Sequence, residues 1–491
     1  MLPLISIILV SLGVGTVATF ASGRWARWVA LATSIVFLAE VALLFASYAG
    51  WPGYSAALVP GFSDTETYSW IHLSWLSINY SVGVDGISLV LILLTAILQI
   101  ATVIYSWGET HRPGGYFGLV LLTCLGSFGV FVALDILLFF LFWEAVLVPM
   151  FFLIGYWGGP NRRYAALKFF VYTHVASIVM LVGLLALVFY SGATSFDFSS
   201  VYAAARGLAP EVQVFLFLAL FFGFAVKFPI VPFHTWLPDA HVEAPTGGSV
   251  LLAGLLLKLG GYGLIRWAVE VLPHAVHSLQ PLLFLIAFVS IVWGSVLALA
   301  QRDVKRLVAY SSINHMGIVL LAIALDSSLG LLAAVLLMFA HGIVSALLFM
   351  TSGSLHHQYG TRDIHSIGGL TPTAPILATL IMAGSLASLG LPALIGFPAE
   401  FTAFLATWDG IGYWVLIPLV VLVVTAAFYL WMMQRILFGP EKGLPAEVHP
   451  LPWYESVGMG ILLAFTVLFG ILPSLLVNVI VNSPVKGFPG T

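Results

Sequence analysis

The chain has 491 residues, 61% hydrophobic and only 8% charged, with a formal net charge of −3. Soluble chains carry about 25% charged residues, so most of this one must be solvated by lipid. The near-neutral balance excludes a nucleic-acid footprint, and the single cysteine, Cys124, excludes both an intrachain disulfide and an iron–sulfur cluster held by this chain alone.

Apolar runs of roughly twenty residues, enough to cross the hydrocarbon core of a bilayer, predict fourteen spans: 3–22, 28–49, 85–106, 115–132, 134–156, 167–190, 212–240, 247–268, 279–299, 304–325, 329–352, 373–405, 412–436 and 456–480. The expected fold class is an all-α polytopic membrane protein. Met1–Ala21 has no basic residue ahead of its apolar run, so it reads as a retained first span and not as a cleaved signal. With the N-terminus outside, the cytoplasmic loops collect 12 basic residues: Arg24, Arg27, Arg112, Arg162, Arg163, Lys168, Arg302, Lys305, Arg306, Arg362, Arg435 and Lys442. The outer loops collect 3, Arg206, Arg266 and Lys486. The asymmetry follows the positive-inside rule and predicts both termini outside a bacterial cytoplasmic membrane. Lys227 and Lys258 remain, and both fall inside spans.

The seventh span carries Pro229, Pro232 and Pro238 after Lys227, and the twelfth carries Gly390, Pro392, Gly396 and Pro398 before Glu400. Proline removes a backbone donor and clashes with the preceding turn, so both spans should break near mid-membrane. They lie five spans apart. An odd-numbered unit re-enters the bilayer from the opposite side, which predicts two inverted five-helix repeats, each with one broken helix. The expected organisation is residues 1–110 with three helices, 111–270 with the first repeat, 271–437 with the second, and 438–491 with the last helix and tail.

A charge at the bilayer centre costs roughly 2.5–3.5 kcal/mol on insertion scales, so intramembrane ionisable residues mark function. Along the chain these are Glu144, Lys227, Lys258 and Glu400, joined by the proton-exchanging imidazoles of His315 and His341. Glu144 and Lys227 are expected to pair. A pair of this kind adds little net stability, whereas one that opens lets a desolvated ammonium release its proton. Lys258 lies too deep in its span to snorkel. His174 reads as a hydrogen-bonded core residue, and His234 and His241 as candidates to line a proton inlet. His356, His357 and His365 share a loop without a cysteine, a poor metal set. Asp135 and Asp303 stand near span ends and read as interfacial. Glu40, inside the second span, has no evident role.

The stretches FFLFWEAVLVPMFFLIGYWGG, KFPIVPFHTWLPDAHVEAPTGGSVLLAGLLLKLGGYG, DVKRLVAYSSINHMG and GFPAEF closely resemble the antiporter-like membrane subunit, chain M or chain 4, of proton-pumping NADH:quinone oxidoreductase (complex I). The resemblance implies a gating pair at Glu144 and Lys227, a central relay at Lys258, relay histidines at His315 and His341, and a terminal carboxylate at Glu400. Related subunits L and N usually have lysine at that last position, and chain L continues into a long lateral arm. The resemblance further implies L-like and N-like neighbours in the same bilayer. It makes this a non-redox subunit with no cofactor or metal of its own, the flavin, iron–sulfur clusters and quinone residing in partner subunits. Two other functions compete: a homologous subunit of a multi-subunit sodium/proton antiporter or membrane-bound hydrogenase, and an independent solute symporter. A symporter needs a roomy polar midplane site, whereas single ionisable groups spread over several helices suit a hopping proton.

Overall fold

The computed structural model describes residues 4–48, 62–72, 77–442 and 450–482. Residue 3, where the first span was predicted to begin, and Lys486 in the tail lie outside the described residues. In chain order the elements are α1 (Leu4–Ala21), α2 (Ala26–Tyr48), β1 (Ser63–His72), β2 (Ser77–Val84), α3 (Gly86–Tyr105), α4 (Pro113–Val132), α5 (Ile136–Ala145), α6 (Leu147–Trp157), α7 (Arg162–Ser191), α8 (Phe198–Ala205), α9 (Pro210–Lys227), α10 (Trp236–Glu243), α11 (Thr246–Leu251), α12 (Leu257–Gly263), α13 (Pro273–Leu299), α14 (Val304–Ala324), α15 (Ser328–Tyr359), α16 (Leu370–Thr373), α17 (Pro375–Ser388), α18 (Gly396–Ile411), α19 (Leu416–Ile436), α20 (Trp453–Ile471) and α21 (Ser474–Val481).

Among the described residues, 13 helical stretches are long and apolar enough to cross a bilayer. The difference from fourteen lies in one region. Gly396–Ile436 runs as a single 41-residue stretch, and Pro375–Ser388 is shorter than a full span. Both predicted breaks are present. After Lys227 the helix stops, and Val231 N–H, orphaned among the prolines, donates to Ser290 Oγ at 3.0 Å. Trp236 Nε1 donates to the freed carbonyl of Val226 at 2.9 Å. Between α17 and α18, Ile395 N–H donates to Thr466 O at 3.0 Å. Irregular backbone at this depth is tolerated because protein groups satisfy it.

Three features go beyond the expectations. Beside the all-α bundle, β1 and β2 pair antiparallel, with Tyr68 opposite Tyr80. Glu66 on β1 accepts from the backbone N–H groups of Ile5 and Ser6 and from the Ser6 hydroxyl, capping α1 with a carboxylate at the positive end of the helix. The fifth predicted span breaks at Val146 into α5 and α6, just after Glu144. The eighth contains two π-helical stretches, Leu252–Leu256 and Leu264–Val269, on either side of Lys258.

Aspartates set the starts of several helices. Asp85 forms a capping box with Ser88, Asp135 accepts from Leu137 N–H and Leu138 N–H, and Asp303 accepts from Arg306 N–H. Asp135 and Asp303, expected near span ends, are helix caps. Arg266, assigned above to an outer loop, is instead buried within the second π-helical stretch. Its guanidinium donates to Asp85 Oδ2 at 2.5 Å and to Glu270 Oε2 at 3.1 Å, two carboxylates that stabilise the charge inside the bundle. Lys305, assigned to a cytoplasmic loop, is buried in the first turn of α14 and donates to Ala244 O at 2.6 Å.

The most enclosed elements lie around the middle of the chain. The Thr246–Val269 window is 100% buried, and those of α14 and α15 are 94% buried, against 28% for α1. Arg266→Met would leave two buried carboxylates without their cation. It should lower stability by about 3–5 kcal/mol, read as an earlier thermal unfolding midpoint of the detergent-solubilised protein. An unchanged midpoint would mean that the Arg266 cluster does not hold α3 to the adjoining helices.

Candidate functional site

Lys227 sits at the last residue of α9, where the prolines behind it end the helix, and it is 2% exposed. Its Nζ donates to Trp143 O at 3.1 Å and lies 3.8 Å from the centroid of the Trp143 ring. An ammonium over an indole face gains a cation–π attraction. Trp143 is held in turn by its Nε1, which donates to Ser177 Oγ at 2.9 Å. Glu144, the expected partner, is not in contact. Its Oε2 meets His174 Nδ1 at 2.9 Å, and its Oε1 has no hydrogen-bond partner. The reason is geometric: consecutive helical residues point about 100° apart, and Trp143 turns inward while Glu144 turns toward α7. His174, read above as a core residue, is the residue that holds the carboxylate.

Lys258 is fully buried between the two π-helical stretches. A π turn shifts backbone pairing by one residue, and Ala253 O, five residues back, accepts from Lys258 Nζ at 2.6 Å. The second acceptor is His341 Nδ1 on α15, also at 2.6 Å. While Lys258 carries its proton, its ammonium has three donors and no acceptor, so His341 Nδ1 is unprotonated and the ring hydrogen lies on Nε2. That atom has no hydrogen-bond partner.

The His315 ring lies 5.3 Å from the His341 ring, centroid to centroid. His315 Nδ1 donates to Ser311 O at 2.7 Å, which leaves Nε2 facing Glu400 Oε1 at 3.3 Å. That separation is short enough for the imidazole nitrogen and the carboxylate oxygen to exchange a proton. The approach depends on Gly390, whose φ of +68° favours glycine and where a Cβ would stand 2.6 Å from Glu400 Oε2. A cavity of about 20 Å³, room for one water, is lined by His315, His341, Glu400, Ser388 and Tyr429. Lys258, His341, His315 and Glu400 therefore form one buried line across α12, α15, α14 and α18. Lys227 is not hydrogen-bonded to it.

The family described as NADH:quinone oxidoreductase/Mrp antiporter, transmembrane, matches residues 133–428, which contain all of Glu144, Lys227, Lys258, His315, His341 and Glu400. The chain belongs to this family. It is 39% identical to the F(420)H(2) dehydrogenase subunit M of Methanosarcina mazei over 98% of this chain and 97% of that one. It is 40% identical to the NADH-quinone oxidoreductase subunit M of Rhodobacter capsulatus over 94% and 90%. Among solved structures it superposes on a chain of respiratory complex I from Thermus thermophilus with a TM-score of 0.86 and 26% identity, covering 98% of this chain and 100% of that one.

Family membership makes this a multi-pass membrane protein, and the remaining candidate residues can be placed on that fold. His234 is buried after the α9 break, with Nδ1 unpartnered. His241 stacks on Phe349 at 4.3 Å, with neither ring nitrogen bonded. Of the three histidines expected in one loop, His356 and His357 lie instead in the last turn of α15 and only His365 follows it; His357 binds Glu455, while His365 lies against Trp431. Glu40 accepts from Ser11 Oγ on α1 at 2.8 Å.

Sequence reasoning missed Trp143, Ser311, Tyr429, Lys305 and Glu455. The first three are common residues in apolar helices, with nothing in their spacing to mark them. Lys305 and Glu455 lie close to helix starts, where charge is ordinary.

Removing one acceptor from a buried ammonium tests the centre of the line. His341→Phe should cost about 1–3 kcal/mol of stability, and adding Lys258→Met should recover part of it. Equal unfolding midpoints for the parent and His341→Phe would show that Lys258 does not depend on His341.

Proposed function

We propose that the chain is the antiporter-like, proton-translocating M subunit of a respiratory oxidoreductase complex. It would lie in a bacterial cytoplasmic membrane with its N-terminus outside, between L-like and N-like neighbours. The observation that carries this reading is the buried Lys258–His341–His315–Glu400 line, which offers single exchangeable protons at successive positions and no chamber for a solute. Two broken helices, each with an ionisable residue beside the break, support the inverted-repeat organisation over 111–270 and 271–437.

In this reading the complex oxidises NADH and reduces quinone in partner subunits, which hold the flavin and iron–sulfur clusters. The M subunit moves protons in response. The two relatives carry the names of complexes with different electron donors, so the proton path is the shared part and the donor belongs to the neighbours. Glu144 rests on His174 and Lys227 rests on Trp143. Closure of Glu144 onto Lys227 would hold the ammonium protonated, and reopening would leave it with a carbonyl and an indole face, so its proton passes to Lys258 once Lys258 has handed its own to His341 Nδ1. From there it moves through His341 and His315 to Glu400, which accepts it as a carboxylate and releases it outward.

Lys227→Arg retains the charge but cannot deprotonate, and Lys227→Met removes it; both should assemble and lose at least about tenfold in pumping-linked turnover. Near-normal proton transport by both, measured in reconstituted vesicles, would take Lys227 off the path.

In Glu400→Gln the amide N–H₂ can still donate to His315 Nε2, so the fold should be kept while proton cycling is lost. Glu400→Asp should be milder. Pumping at the parent level by Glu400→Gln would place the outward exit elsewhere. Sodium-dependent proton exchange without donor oxidation by the purified assembly would favour the antiporter reading over the respiratory one.

A further inference from the structure

Helix α7 runs unbroken from Arg162 to Ser191, whereas the span that carries Glu144 is interrupted just after it. The interruption has a local cause. Pro149 has no N–H for the carbonyl of Ala145, four residues back, and its ring crowds that carbonyl, so α5 ends at Ala145 and α6 begins at Leu147. Glu144 therefore stands in the last turn of an interrupted helix, and His174 near the middle of a continuous one. Phe170, one turn earlier on α7, stacks on the His174 ring at 5.2 Å with the planes 17° apart, which holds Nδ1 toward the carboxylate.

Glu144 has two donors in reach and can serve one at a time. Lys227 is near because the oxygen that its Nζ holds at 3.1 Å, Trp143 O, belongs to the peptide that joins Trp143 to Glu144. A turn of the Glu144 side chain about its own torsions brings the carboxylate toward that ammonium. In the structure it lies on the other side, where Oε2 meets His174 Nδ1 at 2.9 Å. Only that oxygen is bonded. Oε1 is buried and has no partner among the described residues. A buried oxygen left unsatisfied is costly, so this resting contact is one that Glu144 can leave.

The two donors differ in setting. Lys227 is 2% exposed, inside the bundle, whereas the side chains of His174 and Glu144 are 41% and 23% exposed. A staple joining α5 to α7 would be enclosed and would bond both carboxylate oxygens. The observed arrangement is a half-satisfied carboxylate between an inner cation and an outer imidazole. Without the imidazole, Glu144 is left to the ammonium and the pair stays closed. One hydrogen bond to a charged group is enough to move such an equilibrium about tenfold or more.

We propose that His174 is a positioning residue for proton transfer: it offers Glu144 a second station, draws the carboxylate off Lys227, and so sets how often the ammonium is released from its partner. The inference rests on the proton-translocating reading above and names what opens its switch. The test uses the intact complex in vesicles, with proton translocation measured beside electron transfer from the donor and the subunit content of each variant compared with the parent. His174→Phe and His174→Leu keep an apolar body beside Phe170 but remove the donor, and each should lower translocation at least about tenfold. His174→Gln supplies a donor again and should recover a substantial part. Translocation at the parent level by an assembled His174→Phe or His174→Leu complex would overturn the proposal. So would a loss that His174→Gln does not relieve, because that is the behaviour of a packing residue. Lys258→Met in the same assay separates the two readings: if it pumps normally, the translocating role itself fails, whereas normal pumping by His174→Phe alone removes only the second station.

Discussion

A lysine ammonium enclosed by an apolar bundle must find acceptors, and the two that Lys258 finds organise much of the interior. One is Ala253 O, brought within reach by a π-helical turn of its own span. The other is His341 on α15. Satisfying the amine in this way fixes the tautomer of His341, leaves its Nε2 free, and sets the ring beside His315 and the small cavity that continues to Glu400. A carboxylate in place of His341 would satisfy the ammonium more strongly and would also trap it. An imidazole accepts a hydrogen bond and can take the proton itself.

The same requirement explains the irregular backbone. At bilayer depth a broken or shifted helix exposes groups that lipid cannot satisfy, so each interruption needs internal partners. Ser290 meets Val231, Trp236 meets Val226, and Thr466 meets Ile395. The breaks in turn supply what the ionisable residues need. The end of α9 leaves Lys227 facing Trp143 O, and the turn at Gly390 admits the Glu400 carboxylate. Interrupted helices and buried charges are therefore two sides of one arrangement.

Glu144 and Lys227 lie apart in this structure, each held by a different neighbour. His174 keeps the carboxylate on the side of α7, and the indole of Trp143 keeps the ammonium inside. A pair meant only to staple helices would be closed. Two separate resting contacts give each group somewhere to go when the other leaves, which a switch requires.

From the residues alone, the class of the protein, nearly all of its spans, its two proline-driven breaks and the six ionisable positions were legible. Each follows from a cost that acts locally: apolar runs must enter lipid, proline cannot continue a helix, and a charge in hydrocarbon is expensive wherever it stands. The order of the Lys258–His341–His315–Glu400 line, the separation of Glu144 from Lys227 and the π turns around Lys258 were decided by tertiary structure. They depend on which faces of distant helices meet, and helical periodicity in an almost uniformly apolar span carries little signal about rotation. A serine, a tryptophan or a glutamate near a helix end looks ordinary until packing brings its partner within hydrogen-bonding distance.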